Sequence, residues 1–406
     1  MNVLRITPHY YFETTYWPSR FDPMGGMQVQ ITHLSEWLAD HGVWQDVLTT
    51  GFPGIPRKWN TRPNLTVHKV NFCTLPIRSR YTGTLFLDQS WFAGVVKWLL
   101  RHGRKRDYDV IHVHASGVAW PLRAAVLAKK YLRKPVVLTI HCSRNFTYHP
   151  MNRWDAMVNE RIKRLELYAM AFSEKIVLLT RKRGELYENL IDKDKLVEIG
   201  DCVAPHHLSH PVRCAECASL SERFGGGKTV AFLGRIAHEK GWSTFVRVAR
   251  ELADRIRPIR FIVCGDGPQR HLLEAEIERF GLRDIFHITG FISNKRVPCY
   301  LQRADLLILP SIHEEFGGSL LEATAAGVPV IATRNGGPAE IFSHGCSAIL
   351  RDPDDIGGIT EDACRILTDE QMRNALLRNA AVEVLEKFLP QKIYTRYLDL
   401  YEQFRR

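Results

Sequence analysis

Two glutamates in one short segment carry the strongest chemical signal of this sequence. Glu314 and Glu322 are separated by seven residues, with Phe316, Gly317 and Gly318 between them. An apolar run of strand length ends just before the segment, and a helix is predicted just after the glycines. The unpaired N–H groups and the dipole of such a helix start favour an anion, and glycine lets a phosphate approach the backbone. Carboxylates on both sides of a bound diphosphate would meet hydroxyl groups, which is the layout of a sugar nucleotide.

A pair of cations follows another predicted strand, residues 229–235, in the pattern Gly-Arg-x4-Lys-Gly. Arg235 offers a planar guanidinium suited to bidentate phosphate contact, and Lys240 offers a compact positive charge. Cations at a strand exit can clamp a diphosphate and offset the charge that develops on it as it leaves. Either pattern alone also fits a solvated loop, and their combination is what favours a sugar-nucleotide site.

Together the two patterns resemble the donor site of the retaining glycosyltransferases of family 4. That family has the GT-B fold, an α/β architecture of two Rossmann-like domains facing each other across a cleft. The resemblance implies that Glu314 contacts the transferred sugar, that Glu322 binds the ribose hydroxyls, and that backbone N–H groups of residues 316–320 hold the diphosphate. The implied donor-binding residues are Gly25, Gly26, Arg235, Lys240, Ile292, Glu314, Phe316, Gly317, Gly318, Ser319, Leu320 and Glu322.

The first half of the chain contributes a histidine to the expected site. Residues 135–141 form a predicted strand that ends at His141, and strand ends of open parallel sheets face the ligand crevice. Members of the family usually have Thr-x-His-Asp here and use the histidine near the transferred sugar, whereas Cys142 replaces the aspartate in this chain. The alternative is a buried strand-end histidine bonded to the backbone. The implied catalytic residues are His141, Arg235, Lys240 and Glu314, and no covalent nucleophile is assigned.

Strand-like and helix-like segments alternate along the chain, which is typical of parallel sheets covered by helices. Gly25 and Gly26 precede a predicted helix over residues 28–41 and match the Gly-Gly loop with which the family meets the donor diphosphate. A length of 406 residues suits two domains. The predicted domains are an acceptor-side domain, residues 1–203 plus 388–406, and a nucleotide-sugar-binding domain, residues 204–387.

The charge and apolar content of the chain limit the classes of binding partner that are expected. The net charge of +11 favours anionic ligands, but the basic residues are dispersed and no nucleic-acid-binding motif is present, so no nucleic-acid partner is expected. The densest basic run, residues 101–106, fits a solvated helix end, and membrane contact is the less favoured interpretation. The chain has no apolar run of spanning length and no recognisable signal peptide, so a cytoplasmic location is expected. Nothing in the sequence indicates an oligomeric state.

One segment has partial metal-site spacing. Cys214 and Cys217 form a Cys-x-x-Cys pair, with His206, His207 and His210 shortly before it. An exposed, metal-free linker is the preferred interpretation and a structural zinc is the alternative. No metal and no organic cofactor is expected in catalysis, because the chain lacks an Asp-x-Asp signature and the glycine fingerprint of dinucleotide enzymes.

The resemblance implies a retaining transfer of a hexosyl group, of the glucose or amino-sugar type, to a hydroxyl acceptor. A UDP-sugar is the expected donor, although no residue fixes the base. The run Gly25–Gln30 resembles glycosyltransferases that modify 2-deoxystreptamine in aminoglycoside antibiotic biosynthesis, so an aminocyclitol is the expected acceptor. The residues expected to contact the acceptor are Glu13, Asp22, Arg144, Asn145 and Tyr148.

Other functions stay open on the sequence alone. A family 4 transferase of cell-surface polysaccharide or glycolipid assembly would share the donor site and use the basic surface at a membrane. A non-catalytic sugar-nucleotide-binding protein would keep Glu322 and the cations without turnover. A glycan phosphorylase would share the fold layout but need a lysine that holds pyridoxal phosphate.

Overall fold

The computed structural model describes residues 1–8, 10–12, 26–51, 56–71, 87–148, 150, 153–208 and 226–405. These residues divide into two compact units. The N-terminal unit runs from the start of the chain to Gly200 and takes up the chain again from Tyr394. The C-terminal unit comprises Asp201–Ile393 together with Gly26. The sequence-based prediction puts these boundaries at residues 203/204 and 387/388 instead.

The N-terminal unit is built on an eight-stranded sheet with the order β3-β4-β2-β1-β5-β6-β7-β8. All neighbours are parallel except β3 and β4, which are antiparallel. The edge strand β3 is polar and lacks apolar alternation, which is why the sequence does not reveal it. The strands are β1 Asn2–Ile6, β2 Trp44–Thr50, β3 Lys58–Arg62, β4 Leu65–Val70, β5 Val110–Ser116, β6 Val136–Cys142, β7 Lys175–Leu178 and β8 Leu196–Glu198.

Helices cover this sheet, so the central strands are buried along nearly their whole length. The core on one face joins apolar residues of β5 and β6 to the buried faces of the helices. The last helix carries three buried tyrosines, Tyr394, Tyr397 and Tyr401, into this unit. The helices of the unit are α1 Gly26–Asp40, α2 Leu87–His102, α3 Ala119–Leu132, α4 Arg153–Phe172, α5 Arg181–Tyr187 and the terminal α13 Pro390–Glu402.

The C-terminal unit has a six-stranded, fully parallel sheet with the order β11-β10-β9-β12-β13-β14. The strands are β9 Lys228–Leu233, β10 Ile259–Cys264, β11 Phe286–Gly290, β12 Leu306–Leu309, β13 Val330–Thr333 and β14 Ile349–Arg351. The helices are α6 Trp242–Arg255, α7 Arg270–Arg279, α8 Val297–Leu301, α9 Gly318–Ala325, α10 Pro338–Ile341, α11 Ile356–Thr368 and α12 Glu370–Ala380. From β9 the strand order runs to β10 and β11 on one side and to β12, β13 and β14 on the other. The boundary between β9 and β12 is therefore the switch point of a Rossmann-like sheet, where ligands bind at the carboxyl ends of the strands.

Across the residues described, no helix combines the length and the apolar character needed to cross a membrane. The described cysteines form no disulfide with one another.

One glycine sets the spacing of two loops at this sheet edge. Gly241 caps the start of α6 with φ +70°, and a β-carbon on it would overlap with the carbonyl oxygen of Pro310, the residue after β12. The segment before it, His238–Lys240, is a short 3₁₀ turn. The close approach therefore brings Lys240 next to the loop that follows β12.

Gly241→Ala is expected to lower the free energy of unfolding by more than about 3 kcal/mol, because the β-carbon adds a backbone clash to the strain of positive φ. Gly327→Ala is the matched control, since Gly327 has φ +72° and a β-carbon on it would meet nothing within 4 Å. The control should lose only about 1 kcal/mol, the cost of the left-handed conformation. Urea unfolding of both variants measures the difference, and equal losses would contradict the packing argument.

Candidate active site

An ion pair joins the two motifs of the C-terminal unit. Lys240 Nζ lies 2.7 Å from Glu314 Oε2, and the buried Ser311 hydroxyl donates to the same oxygen at 3.3 Å. Glu314 is 9% exposed, so its carboxylate depends on these two partners for most of its solvation. Its backbone is also held, because Gly337 N donates to Glu314 O at 2.9 Å. The pair fixes a carboxylate and a cation side by side at the carboxyl edge of the sheet.

The start of α9 presents backbone donors beside this pair. Gly317 caps the helix with φ +115°, and its carbonyl accepts from Leu320 N at 2.9 Å and Leu321 N at 3.2 Å. The N–H groups of Gly318 and Ser319 have no acceptor within the part of the chain that is described. A β-carbon on Gly318 would meet nothing within 4 Å, so there is open space at the helix start. These features fit an anion-binding helix N-terminus, as predicted for the diphosphate.

Glu322 lies in a cluster that the sequence analysis does not anticipate. Asn294 Nδ2 donates to Glu322 Oε1 at 2.9 Å, and His207 Nε2 lies 3.8 Å from the same oxygen. His206 packs on His207 with ring centroids 4.4 Å apart and contacts the carbonyl oxygen of Asn294 at 3.2 Å. His206 and His207, considered above only as zinc ligands, are thus neighbours of the expected ribose-binding residue.

Burial sets the protonation of this cluster. It raises the pKa of Glu322 to about 7, and the hydrogen bond from Asn294 offsets only part of the effect. Burial lowers the pKa of His206 and of His207 to about 4, with the neighbouring ring adding to the effect at His206. The histidines are therefore neutral near pH 7, and Glu322 is divided between its acid and its carboxylate form.

Arg235 and Ile292 occupy exposed or half-buried positions of the same unit. The Arg235 guanidinium pairs with Glu239, and both side chains are more than a third exposed. Ile292 follows β11 in a loop and is half-buried. Phe316 is buried and packs edge-on against Phe388, with ring centroids 5.5 Å apart. Phe316 therefore contributes its backbone, and not its ring, to the face of the helix start.

His141 belongs to the N-terminal unit. It is the second-last residue of β6 and is 6% exposed. Its Nε2 atom lies 3.0 Å from His114 Nδ1, and the two rings are stacked at 5.3 Å. The sequence leaves open a bond from His141 to the backbone but does not predict this partner, which is a side chain on the neighbouring strand β5. The sequence signal that could have shown it is the alternation of His112 and His114 in β5, which places both on one face.

The residues expected to meet the acceptor divide into two groups. Glu13 and Asp22 lie outside the described residues. Arg144 is 1% exposed and pairs with Asp155, while the Tyr148 ring lies 3.9 Å from its guanidinium. These contacts hold the loop after β6 together, and acceptor contact by either residue stays a prediction.

Asn145 is held in the same way. Its Nδ2 atom donates to Glu166 Oε1 at 2.7 Å, and the buried Glu166 also accepts from the N–H of Arg144 at 2.8 Å. Ser143 and Tyr187 hydroxyls complete the shell around this carboxylate. Acceptor contact by Asn145 likewise stays a prediction.

Gly25 and the Cys-x-x-Cys pair with His210 also lie outside the described residues. Gly26 is the first residue of α1, with nothing within 4 Å of where a β-carbon would stand. Among the described residues no three histidine, cysteine or acidic side chains group as a metal site would require.

Two α/β units with mainly parallel sheets, and a helix start flanked by paired charges, are the features expected of a glycosyltransferase of the GT-B fold. The family description "Glycosyltransferase Family 4" matches residues 24–199, and "Glycosyl transferases group 1" matches residues 221–382. The chain belongs to glycosyltransferase family 4, and the fold class predicted from the sequence is confirmed.

Individual relatives within the family include transferases named for 2-deoxystreptamine. The chain is 58% identical over 379 residues to the 2-deoxystreptamine N-acetyl-D-glucosaminyltransferase of Niallia circulans, covering 93% of this chain and 97% of that protein. It is 37% identical over 369 residues to the 2-deoxystreptamine glucosyltransferase of Streptomyces kanamyceticus, covering 89% and 95%. The crystal structure of Anabaena HepE in complex with UDP-glucose matches with a TM-score of 0.73 at 17% identity, covering 99% and 100%.

Glu322→Gln is expected to raise the stability of the free protein at pH 8 but not at pH 5. Unfolding exposes the carboxyl, whose pKa then returns from about 7 towards its ordinary value of 4.5. The folded state therefore holds the proton more tightly, and wild-type stability falls by roughly 3 kcal/mol as pH rises through this interval. The amide does not titrate and escapes this loss.

Urea unfolding of wild type and Glu322→Gln at pH 5 and pH 8 measures the effect. Glu278→Gln is the control, because Glu278 is an exposed carboxylate on α7 of the same unit. If the free energies of unfolding of wild type and Glu322→Gln differ by the same amount at both pH values, the assignment of a raised pKa to Glu322 is contradicted.

Proposed function

We propose that this protein transfers a hexosyl group, N-acetylglucosaminyl or glucosyl, from a UDP-sugar to a hydroxyl of 2-deoxystreptamine, with retention at the anomeric carbon. The transfer would be a step in aminoglycoside antibiotic biosynthesis. The observation that carries the proposal is the Lys240–Glu314 pair beside the α9 start, in a chain 58% identical to a transferase named for this acceptor.

The α9 start and the two cations suit the diphosphate of the donor. Gly318 and Ser319 offer N–H groups, and Lys240 offers a fixed positive charge nearby. The pair between Arg235 and Glu239 is exposed, and such a pair is worth about 0–1 kcal/mol. A phosphate can therefore displace Glu239 from Arg235 at little cost, and the guanidinium then binds it in bidentate fashion.

Charge develops on the diphosphate as its bond to the sugar breaks. Cations and oriented N–H groups that are in place before the reaction stabilise that charge without reorganisation. Glu314 accepts hydrogen bonds from sugar hydroxyls and so orients the ring, while Glu322 accepts from the ribose. The acceptor hydroxyl attacks from the side of the leaving group, as the family resemblance implies, and its proton passes to a phosphate oxygen. We propose that no divalent metal takes part, because Lys240 and Arg235 supply the positive charge.

A cationic acceptor needs acidic partners. 2-Deoxystreptamine carries amino groups, and the acids expected to meet them are Glu13 and Asp22 of the N-terminal loop. We retain both as proposed acceptor residues, with a cytoplasmic location for the reaction.

The reaction itself is tested by incubating the protein with 2-deoxystreptamine and either UDP-N-acetylglucosamine or UDP-glucose in the presence of EDTA. We expect a product one hexosyl unit heavier than the acceptor by mass spectrometry, an α-anomeric linkage by NMR, and equal rates with and without EDTA. Myo-inositol, a cyclitol without amines, is the control acceptor and should give no product. Donor hydrolysis without transfer to 2-deoxystreptamine would reject the acceptor, and loss of activity in EDTA would reject metal independence.

Lys240→Met and Glu314→Gln are each expected to lower kcat by about 10²–10³-fold while the protein stays folded, since each removes a charge that acts on the donor. Lys228→Met is the matched control, because the side chain of Lys228, in the same unit, is 42% exposed and forms a long pair with Asp305, at 3.9 Å. UDP release measures turnover, and circular dichroism checks the fold. Wild-type turnover in either variant would remove that residue from the mechanism.

A further inference from the structure

We propose that Arg5, acting through His114, fixes His141 in the neutral tautomer whose proton is on Nδ1. His141 would then meet the ligand as a hydrogen-bond donor and not as a base or a cation. The inference rests on the contact of His141 with the transferred sugar that the family resemblance implies, and it makes Arg5 and His114 positioning residues for that contact.

Arg5 is a fully buried cation in the middle of the N-terminal sheet. It lies in β1 directly opposite His112 of the parallel strand β5. Its Nη1 atom is 3.0 Å from His112 Nδ1 and 2.8 Å from His114 Nε2. A guanidinium has only donors, so both ring nitrogens must accept.

The direction of each following hydrogen bond is then determined. His114 accepts at Nε2, so the proton of the neutral ring is on Nδ1, and Nδ1 is the atom 3.0 Å from His141 Nε2. His141 Nε2 must therefore accept, which leaves its own proton on Nδ1. A doubly protonated His141 would point an N–H group at the N–H group of His114, so the same geometry excludes the charged form.

Independent features keep His114 neutral. Burial lowers its pKa well below the ordinary value, and His112 and the positive charge of Arg5 lower it further. Burial, the charge of Arg5 and His141 lower the pKa of His112, whose Nε2–H donates to Thr139 Oγ1 at 2.7 Å. Neither ring can take up a second proton to reverse the chain of hydrogen bonds.

Arg5 itself is held by neutral groups. Its Nη2 atom donates to Gln45 Oε1 at 3.1 Å and to the Tyr401 hydroxyl at 3.4 Å. Gln45 is fixed in turn, since its Nε2 donates to the carbonyl of Ser35 at 2.7 Å. No carboxylate within the described ranges forms an ion pair with Arg5. A buried cation without a counter-charge is costly, and such costs are typical of functional sites.

The direct test is the protonation of the ring nitrogens in the full-length protein. We expect two-bond ¹H–¹⁵N spectra of ¹⁵N-histidine-labelled wild type, with His141 assigned by its absence in His141→Asn, to show the Nδ1–H tautomer alone from pH 6 to pH 8. A mixture of tautomers, the Nε2–H tautomer, or titration within this range would overturn the inference, whatever the activity of the enzyme.

Arg5→Gln replaces a donor-only group by an amide that also accepts, and Arg5→Lys keeps a donor-only cation. We expect Arg5→Gln to show mixed His141 tautomers and a kcat about tenfold lower, the equivalent of one hydrogen bond, with Arg5→Lys restoring both towards wild type. A single Nδ1–H tautomer in folded Arg5→Gln would overturn the role of Arg5. The wild-type spectrum decides the tautomer even where a variant fails to fold.

His141→Asn and His141→Asp separate this inference from the proposed function. Asparagine keeps an N–H donor near the Nδ1 position, whereas an ionised aspartate of the same shape only accepts. We expect His141→Asn to retain at least tenfold more turnover than His141→Asp. Equal, wild-type turnover in both variants would reject the sugar contact of His141, while the tautomer result would stand by itself.

Discussion

The ion pair between Lys240 and Glu314 is the interaction on which the donor site depends. It joins the loop after β9 to the loop after β12, two segments that are 74 residues apart in sequence. Because Glu314 is nearly buried, removing the lysine would leave a carboxylate with little water to solvate it. The pair therefore keeps two opposite charges ready at the sheet edge, each of which would be costly to hold there alone.

The pair also depends on a backbone contact. Lys240 reaches Glu314 because Gly241 lets the chain pass against the carbonyl of Pro310, where a β-carbon would not fit. On the far side of the loop, Gly336 approaches the carbonyl of Glu314 in the same way. The backbone segments that carry Lys240 and Glu314 thus pack closely against neighbouring backbone only because Gly241 and Gly336 have no β-carbon.

The sequence predicts the local parts of this arrangement well. The strands and helices around Glu314 and Lys240 follow from apolar runs that end at glycine or proline, and the helix start at Gly318 follows from the Gly317-Gly318 pair. The pairing of His206 and His207 with Glu322 does not follow, because more than a hundred residues separate them. Arg5 could not be placed either. Its position opposite His112 depends on strand order and register, and nothing next to it in the sequence marks a buried cation.

In both buried histidine clusters, burial lowers the pKa of the imidazole rings, and the consequence differs between the two units. In the C-terminal unit, burial lowers the pKa of His206 and of His207 and raises the pKa of Glu322, so the carboxyl retains a proton more readily. In the N-terminal unit, burial and Arg5 together keep His112 and His114 uncharged, and a fixed cation gives their hydrogen bonds a direction. Protonation is set in both places by surroundings contributed by distant parts of the chain.

Helix α13 has a consequence for how the protein is made. Tyr401 contacts Arg5 and His112, so a side chain from the last few residues completes the interior of a unit whose first strand is at the start of the chain. During synthesis Arg5 and His112 lack this contact until residues 201–393, which form the C-terminal unit, have been translated. The N-terminal unit therefore gains its last contacts only after the C-terminal unit has been translated.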